Sequence, residues 1–179
     1  MRGVNPPRWR ARSRRRGVVT LEIILVLPIF LIGLMAIVEF GLLFSNEQMV
    51  ETASRAGAQV ASRLVVIPSS GAVPAAVETA VARELAKIGV TDYSIRLEHN
   101  INFTPPPLTK TPVVLTTTTA GGPTNSPAPP SIVLTPDRRY VRVTVSVWTT
   151  HLTPNLLDMY GVDLSNRVSY QTKTRRYAR

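Results

Sequence analysis

An apolar run near the N-terminus constrains this chain more than any other feature of its sequence. The run extends over residues 18–44, 27 residues in which only Thr20, Glu22 and Glu39 have polar side chains. A transmembrane helix needs about 20 apolar residues, so the run predicts one membrane-spanning helix. A removable secretory signal is the rival interpretation, but its apolar region has roughly 7 to 15 residues and ends at a small-residue cleavage site. Here Leu43-Phe44-Ser45 follows instead, which favours the anchor.

The basic residues are concentrated before this run. Residues 1–17 hold seven arginines and no acid, and so carry seven of the ten formal net positive charges of the chain. Positively charged flanks stay on the cytoplasmic side of a membrane, so we expect a single-pass protein of the cytoplasmic (inner) membrane, with its N-terminus inside and its C-terminal part outside. A nucleic-acid-binding domain would need basic residues interleaved with aromatics on its folded part. The sequence therefore predicts a lipid bilayer as a partner and no nucleic acid.

The remaining pattern divides the chain into four parts. We expect a basic cytoplasmic leader at 1–17, a transmembrane helix at 18–44, a helical stalk at 45–66 and an extracytoplasmic domain at 67–179. Helical spacing continues without a break from the span to Leu64, and Pro28 should kink the helix. Pro74 and Gly89 bound a second helix.

The outer domain is predicted to combine this second helix with a small sheet. Apolar residues alternate with polar ones at 93–103 and again at 140–150, which is the pattern of half-buried strands. A helical turn at 156–160 closed by Gly161 and a last strand at 168–172 follow, before a basic tail at 173–179. The predicted fold class is α+β: a long N-terminal transmembrane and stalk helix, a second helix, and an antiparallel sheet of three or four strands.

Residues 104–130 interrupt this domain with eight threonines and eight prolines. Such a stretch offers few apolar side chains to offset its ordering entropy. We expect an exposed loop, with Val113-Val114-Leu115 as a candidate short edge strand. The composition permits O-glycosylation, although a flexible loop without it is the simpler interpretation.

Chemistry-bearing residues are sparse. The chain has no cysteine and only two histidines, His99 and His151, and its eleven acidic residues are scattered. His99 lies on the apolar phase of its strand, where a strand-end or core role is the ordinary one. We therefore predict a protein that is not an enzyme and has no cofactor and no metal site.

Two carboxylates stand inside the apolar run. Sixteen apolar residues separate Glu22 from Glu39, about 24 Å of helix against about 30 Å of hydrocarbon. Glu39 is therefore expected to mark the outer membrane interface, or to contact another helix. A carboxylate within a membrane helix is by default a functional hypothesis, and this applies most to Glu22.

The sequence around Glu22 resembles a known family. Arg14-Arg15-Arg16-Gly17 followed by Val18-Val19-Thr20-Leu21-Glu22 is similar to the class III signal of type IV pilins and pseudopilins. The further motifs narrow the resemblance to the TadE-like family of the tight-adherence (Flp pilus) assembly machinery: Leu25-Val26-Leu27-Pro28, Ile37-Val38-Glu39-Phe40-Gly41 and Ala53-Ser54-Arg55-Ala56-Gly57-Ala58.

The resemblance implies a function and its residues. The protein is expected to be a minor pseudopilin that takes part in assembly of a surface pilus, within the fibre or at its base. A prepilin peptidase would cut between Gly17 and Val18 and remove the leader charges Arg14, Arg15 and Arg16. Glu22 would then serve assembly with other pilins or pseudopilins.

One alternative stays open from the sequence. A membrane-anchored extracytoplasmic binding module would have the same topology, but would keep its leader and remain monomeric.

Overall fold

The computed structural model describes residues 13–101, 111–124, 128, 139–164 and 166–177, with side chains from Val19 onward. The chain forms two compact units, Met1–Val38 and Glu39–Arg179. The boundary falls inside the first helix, α1, which extends from Ser13 to Ala61.

The first unit contains most of the apolar part of α1. Within the described residues, α1 is the one helix that is long and apolar enough to cross a membrane, with a mean hydropathy of 2.8 and none of the apolar segment buried. Pro28 lies inside it. So many exposed apolar side chains on this part of a helix would be unfavourable in water, so this unit fits the predicted single-pass anchor.

The second unit is an antiparallel sheet covered by helices. Its four strands lie in the order β2-β1-β3-β4, and every neighbouring pair is antiparallel. This confirms the predicted α+β class with four strands. The elements are α2 (Ala75–Ala86), β1 (Tyr93–His99), β2 (Val113–Thr118), β3 (Tyr140–Trp148), two 3-10 helices (Thr149–His151 and Leu156–Tyr160) and β4 (Val168–Arg176).

Helix α2 lies between Pro74 and Gly89, the two residues that the sequence predicts as its bounds. Pro74 is its N-cap residue, and the Pro74 carbonyl oxygen accepts the first bonds of the helix, from the N–H groups of Val77 at 2.9 Å and Glu78 at 3.2 Å. Beyond the C-terminus, Gly89 adopts φ 73°, and the Val90 N–H donates to the Leu85 carbonyl at 3.2 Å. A left-handed glycine followed by this backbone bond is a Schellman motif. It gives hydrogen-bond donors to carbonyl groups that have no partner within the helix.

The core lies on one face of the sheet. Leu97 pairs with Leu115 on one side and with Val143 on the other, and all three side chains are completely buried. Residues of α1 close this face: Val50, Ala53, Ala58 and Ala61 are also fully buried. The second half of α1 is therefore part of the domain core and not a free stalk.

Small residues let α1 approach closely. A Cβ atom at Gly57 would lie 2.8 Å from a methyl group of Val81 on α2 and 3.2 Å from one of Val143 on β3. The motif around Gly57 thus has a packing role, because α1, α2 and β3 meet at this glycine.

Several element boundaries differ from those expected. Strand β1 ends at His99, so the predicted continuation is wrong for Asn100 and Ile101, which follow outside the strand, while residues 102 and 103 lie outside the described residues. Helix α1 ends at Ala61 rather than Leu64. Strand β4 continues to Arg176 because it pairs with β3 along its whole length, so residues 173–176 belong to the sheet and not to a tail.

The largest difference concerns the Thr/Pro-rich segment 104–130. Residues 113–118 form a full strand, β2, which pairs with six residues of β1. It lies at the edge of the sheet, so the candidate edge strand at Val113-Val114-Leu115 is confirmed and extends to Thr118. Threonine favours strands, and Leu115 gives β2 a completely buried side chain. The segment is therefore not one continuous exposed loop.

Candidate assembly and anchoring sites

The residues of the proposed cleavage site lie at the start of α1. Gly17 and Val18 belong to this helix, as do Arg14, Arg15 and Arg16. Their side chains fall outside the described part of the chain. A peptidase that binds an extended backbone would have to unwind this first part of α1.

Glu22 is exposed on an apolar helix face. The same face carries five apolar side chains at helical spacing, namely Val19, Ile23, Val26, Leu27 and Phe30. Residues three and four apart are neighbours on a helix surface, so the carboxylate stands within an apolar stripe. Such a stripe with one charge is suited to a neighbouring helix that offers a cationic partner.

Glu39 is completely buried inside the second unit. Its Oε2 atom accepts a hydrogen bond of 2.8 Å from the backbone N–H of Leu157, in the 3-10 helix Leu156–Tyr160. Its Oε1 atom has no hydrogen-bond partner among the described residues. The structure thus brings Glu39 into contact with a short helix 118 residues later in the chain.

Glu39 supplies the cap that this short helix lacks. Asn155 is the N-cap residue, adopts φ 54° and makes no side-chain cap bond. The first N–H groups of a helix have no partner within it and carry partial positive charge. The carboxylate of Glu39 satisfies one of them and complements that charge.

The segment held by Glu39 has its own internal order. We call residues 155–164 the capped loop. Gly161, at φ 84°, ends the 3-10 helix, as the sequence predicts, and the Val162 N–H returns to the Leu157 carbonyl at 3.2 Å. The Leu164 N–H donates to Asn155 Oδ1 at 3.3 Å. Both ends of the capped loop are therefore fixed.

Further polar contacts join α1 to the C-terminal part of the chain. The Glu51 carboxylate accepts from Lys173 of β4 at 2.9 Å and from Arg55 at 3.0 Å. The Lys173 ammonium, and next the Arg55 guanidinium, lower the pKa of Glu51 below its ordinary value. Because the side chains of Glu51 and Lys173 are 39% and 37% exposed, solvent screens this interaction.

These contacts form a series along α1 and the residues directly after it. We call the series the helix seam. It comprises Glu39 with Leu157, Asn46 with the Leu152 carbonyl, Glu47 with Ser169, Glu51 with Lys173, and the Leu64 carbonyl with the Tyr177 hydroxyl.

The opposite face of the sheet contains a buried ion pair. Arg142 Nε donates to Glu98 Oε2 at 2.7 Å, and Arg96 Nε donates to Glu98 Oε1 at 3.0 Å. Glu98 and Arg142 are both buried. Each oxygen of the carboxylate has a charged donor, so this cluster is a satisfied structural network.

His99 has the core role expected from its strand position. Its side chain is completely buried, and Nε2 lies 3.0 Å from the Pro68 carbonyl oxygen. Burial lowers the pKa of His99, and the contact with Pro68 opposes this in part. Within the described ranges, no three acidic or histidine side chains are grouped as metal ligands would be.

Sequence reasoning missed the partner of Glu39 and the whole helix seam. The partners are about a hundred residues apart in the chain, and no local periodicity relates them. The one usable signal was the carboxylate itself, which stands at the end of an uninterrupted apolar stretch.

Comparison with known proteins adds a finding for the N-terminal part alone. No curated protein and no solved structure matches the chain. A family model does match, and its range begins at the glycine of the proposed cleavage site and ends within α1. Residues 17–59 match the model described as TadE-like protein, so this segment is similar to the TadE-like family, as its motifs predict.

Proposed function

We propose that the protein is a TadE-like minor pseudopilin, which a prepilin peptidase processes between Gly17 and Val18 and which takes part in assembly of a tight-adherence (Flp-type) pilus. The role is not enzymatic. It places the protein in the cytoplasmic membrane with its C-terminal domain outside, and later in the fibre or at its base.

The observation that carries this proposal is the setting of Glu22. It is the carboxylate of an exposed apolar stripe, in the segment where the TadE-like match begins. A carboxylate without a cationic partner is costly in a membrane. A cationic group that pairs with Glu22 during assembly would therefore favour assembly.

Cleavage would create such a group. A new N-terminus at Val18 carries an α-amine with a reference pKa of about 7.7 to 8.0. This amine lies four residues before Glu22, about one helical turn away. It can pair with Glu22 of the same chain or with that of a neighbouring subunit whose helix is staggered along it. Pairing between subunits would fix their stagger.

The first experiment is mass spectrometry of the protein purified from its native membrane. The proposal expects a mature chain that starts at Val18. A chain that keeps residues 1–17 and remains monomeric would contradict it and would favour the membrane-anchored binding module.

The second experiment isolates Glu22. Glu22→Gln removes the charge with almost no change of shape, so the variant should be processed and inserted normally, yet lose co-purification with pilin subunits. Glu78→Gln is the matched control, since Glu78 lies on α2, outside the TadE-like segment. Normal co-purification of Glu22→Gln would remove the central residue of the proposed mechanism.

A further inference from the structure

The capped loop exposes a set of large apolar side chains. Leu156 is 37% exposed, Met159 74%, Tyr160 46% and Val162 43%. These four residues fall within seven positions of the chain, while Leu157 between them is buried. A cluster of this kind on a small domain marks an interaction surface more often than a random exposure.

The geometry of the 3-10 helix directs these side chains. Residues three apart share an edge in such a helix, so Leu156 and Met159 lie on one edge. Leu157 and Tyr160 share the second edge, on which Leu157 is buried and Tyr160, at the end of the helix, is exposed; the exposed Asp158 occupies the third edge. The apolar edge is therefore separated from the charged one.

The contact with Glu39 determines which part of α1 the capped loop lies against. Glu39 directly follows the sixteen apolar residues of the span, and its hydrogen bond holds Leu157 at that point. From Val18 to Glu39 a helix rises about 32 Å, close to the about 30 Å of a bilayer's hydrocarbon core. The capped loop is thus held at the residue that interrupts the apolar run.

From this placement we propose that the capped loop is a second membrane contact, which lies in the outer interface of the bilayer with Leu156, Met159, Tyr160 and Val162 among the lipids. The inference rests on the membrane anchoring of α1 in the proposed function. Its occupant is lipid, because the contact level is that of the membrane surface. Tyrosine is enriched at that surface, and shallow burial of an apolar edge is the usual mode of interfacial helices.

The absence of cysteine from the chain makes the test direct. Three single-cysteine variants of the full chain would each carry an environment-sensitive fluorophore: Met159→Cys in the capped loop, Phe30→Cys in the span and Val66→Cys as control. Val66 is 75% exposed and follows the end of α1, about 33 Å of helix beyond Glu39. Each variant is placed as a single chain in a phosphatidylcholine nanodisc that contains a nitroxide-labelled lipid.

The proposal expects the label at residue 159 to shift its emission to the blue and to be quenched by the nitroxide several-fold more than the label at residue 66. Quenching at residue 30 but not at 159 would overturn the second contact and leave the anchor intact. Weak quenching at residues 30 and 159 would overturn the anchor and the contact together. Protection of residue 159 that occurs only with two or more chains in a disc would assign the loop to a second copy and contradict the proposal.

Discussion

Gly57 shows how a single residue decides the packing of this domain. In most helix interiors a change from glycine to alanine stabilises the protein by up to about 1 kcal/mol. At Gly57 the added methyl group would lie 2.8 Å from the side chain of Val81. The branched Val81 and Val143 cannot both move away without disturbing the core.

We expect Gly57→Ala to lower the free energy of unfolding by about 1 to 3 kcal/mol, the usual cost of an overpacked core. Gly41→Ala in the same helix is the matched control, because nothing lies within 4 Å of its added methyl group. Denaturant unfolding of the full chain in nanodiscs measures both variants. Equal or higher stability of Gly57→Ala would show that α1 does not approach α2 and β3 this closely.

His99 gives the domain a predictable response to acid. Burial lowers its pKa in the folded chain, whereas the unfolded chain has the ordinary value of about 6.5. The unfolded state therefore binds the proton more readily in the window below pH 6.5, and stability falls as the pH drops through that window. Above it, both states are neutral at this residue and the contribution is complete.

We expect the native protein to lose more unfolding free energy between pH 7 and pH 5 than His99→Gln, which cannot take up a proton. Glu51 does not interfere, because its lowered pKa acts below the ordinary carboxylate value of 4.5. Unfolding curves followed by Trp148 fluorescence at several pH values provide the measurement. Parallel pH profiles of the two proteins would contradict this role of His99.

At the scale of elements, the capped loop depends on a residue of another element. Glu39→Ala removes the acceptor of the Leu157 N–H inside the protein, which should cost about 1 to 3 kcal/mol. We expect backbone amides of residues 155–164 to exchange hydrogen much faster in this variant, while those of β3 keep their protection. Glu39→Gln retains a carbonyl oxygen and should restore most of the protection. Unchanged exchange in Glu39→Ala would mean that the loop is ordered without its cap.

The elements differ in how far the sequence determines them. The apolar run, Pro74 and Gly89 predict α1 and α2 because their signals are local. The sequence underestimates the length of strand β2 because few of its residues are apolar. Leu115 alone is buried, and the flanking prolines are typical of a loop. A consequence follows for residues 104–130: replacing them by a short turn would remove β2 and a core side chain, so they are not dispensable.

Site residues, too, can be predicted only where their signal is local in the sequence. Gly17, Val18 and Glu22 could be proposed because a short motif contains them all. The pairing of Glu39 with Leu157 could not, since it exists only once the chain has folded back over more than a hundred residues.

For the whole molecule, the charge of the leader should control release from the membrane. Each arginine beside an anionic leaflet contributes about 1 kcal/mol of attraction, and residues 1–17 hold seven. Removing them leaves a helix whose end is weakly charged. The uncut chain would then stay in the bilayer, and the cut chain could move into an assembly.

We expect Gly17→Val to block cleavage, because a residue without a side chain permits the closest approach of the peptidase. The variant should accumulate in the membrane and be absent from purified pili. Mass spectrometry of both fractions decides this, with Gly33→Ala as a control elsewhere in α1. Uncut chain in purified pili would show that assembly does not require cleavage, and would contradict the prediction.

The helix seam has a mechanical meaning as well. Its contacts are distributed from Glu39 on α1 to Leu64, just after the helix end, so tension applied along the helix loads them in shear, side by side, and not one after another. All of them are non-covalent, and a chain without cysteine has no disulfide to tear. If the protein bears load in a fibre, the seam lets the domain resist a sharp pull, yield at a threshold and re-form when the tension is released.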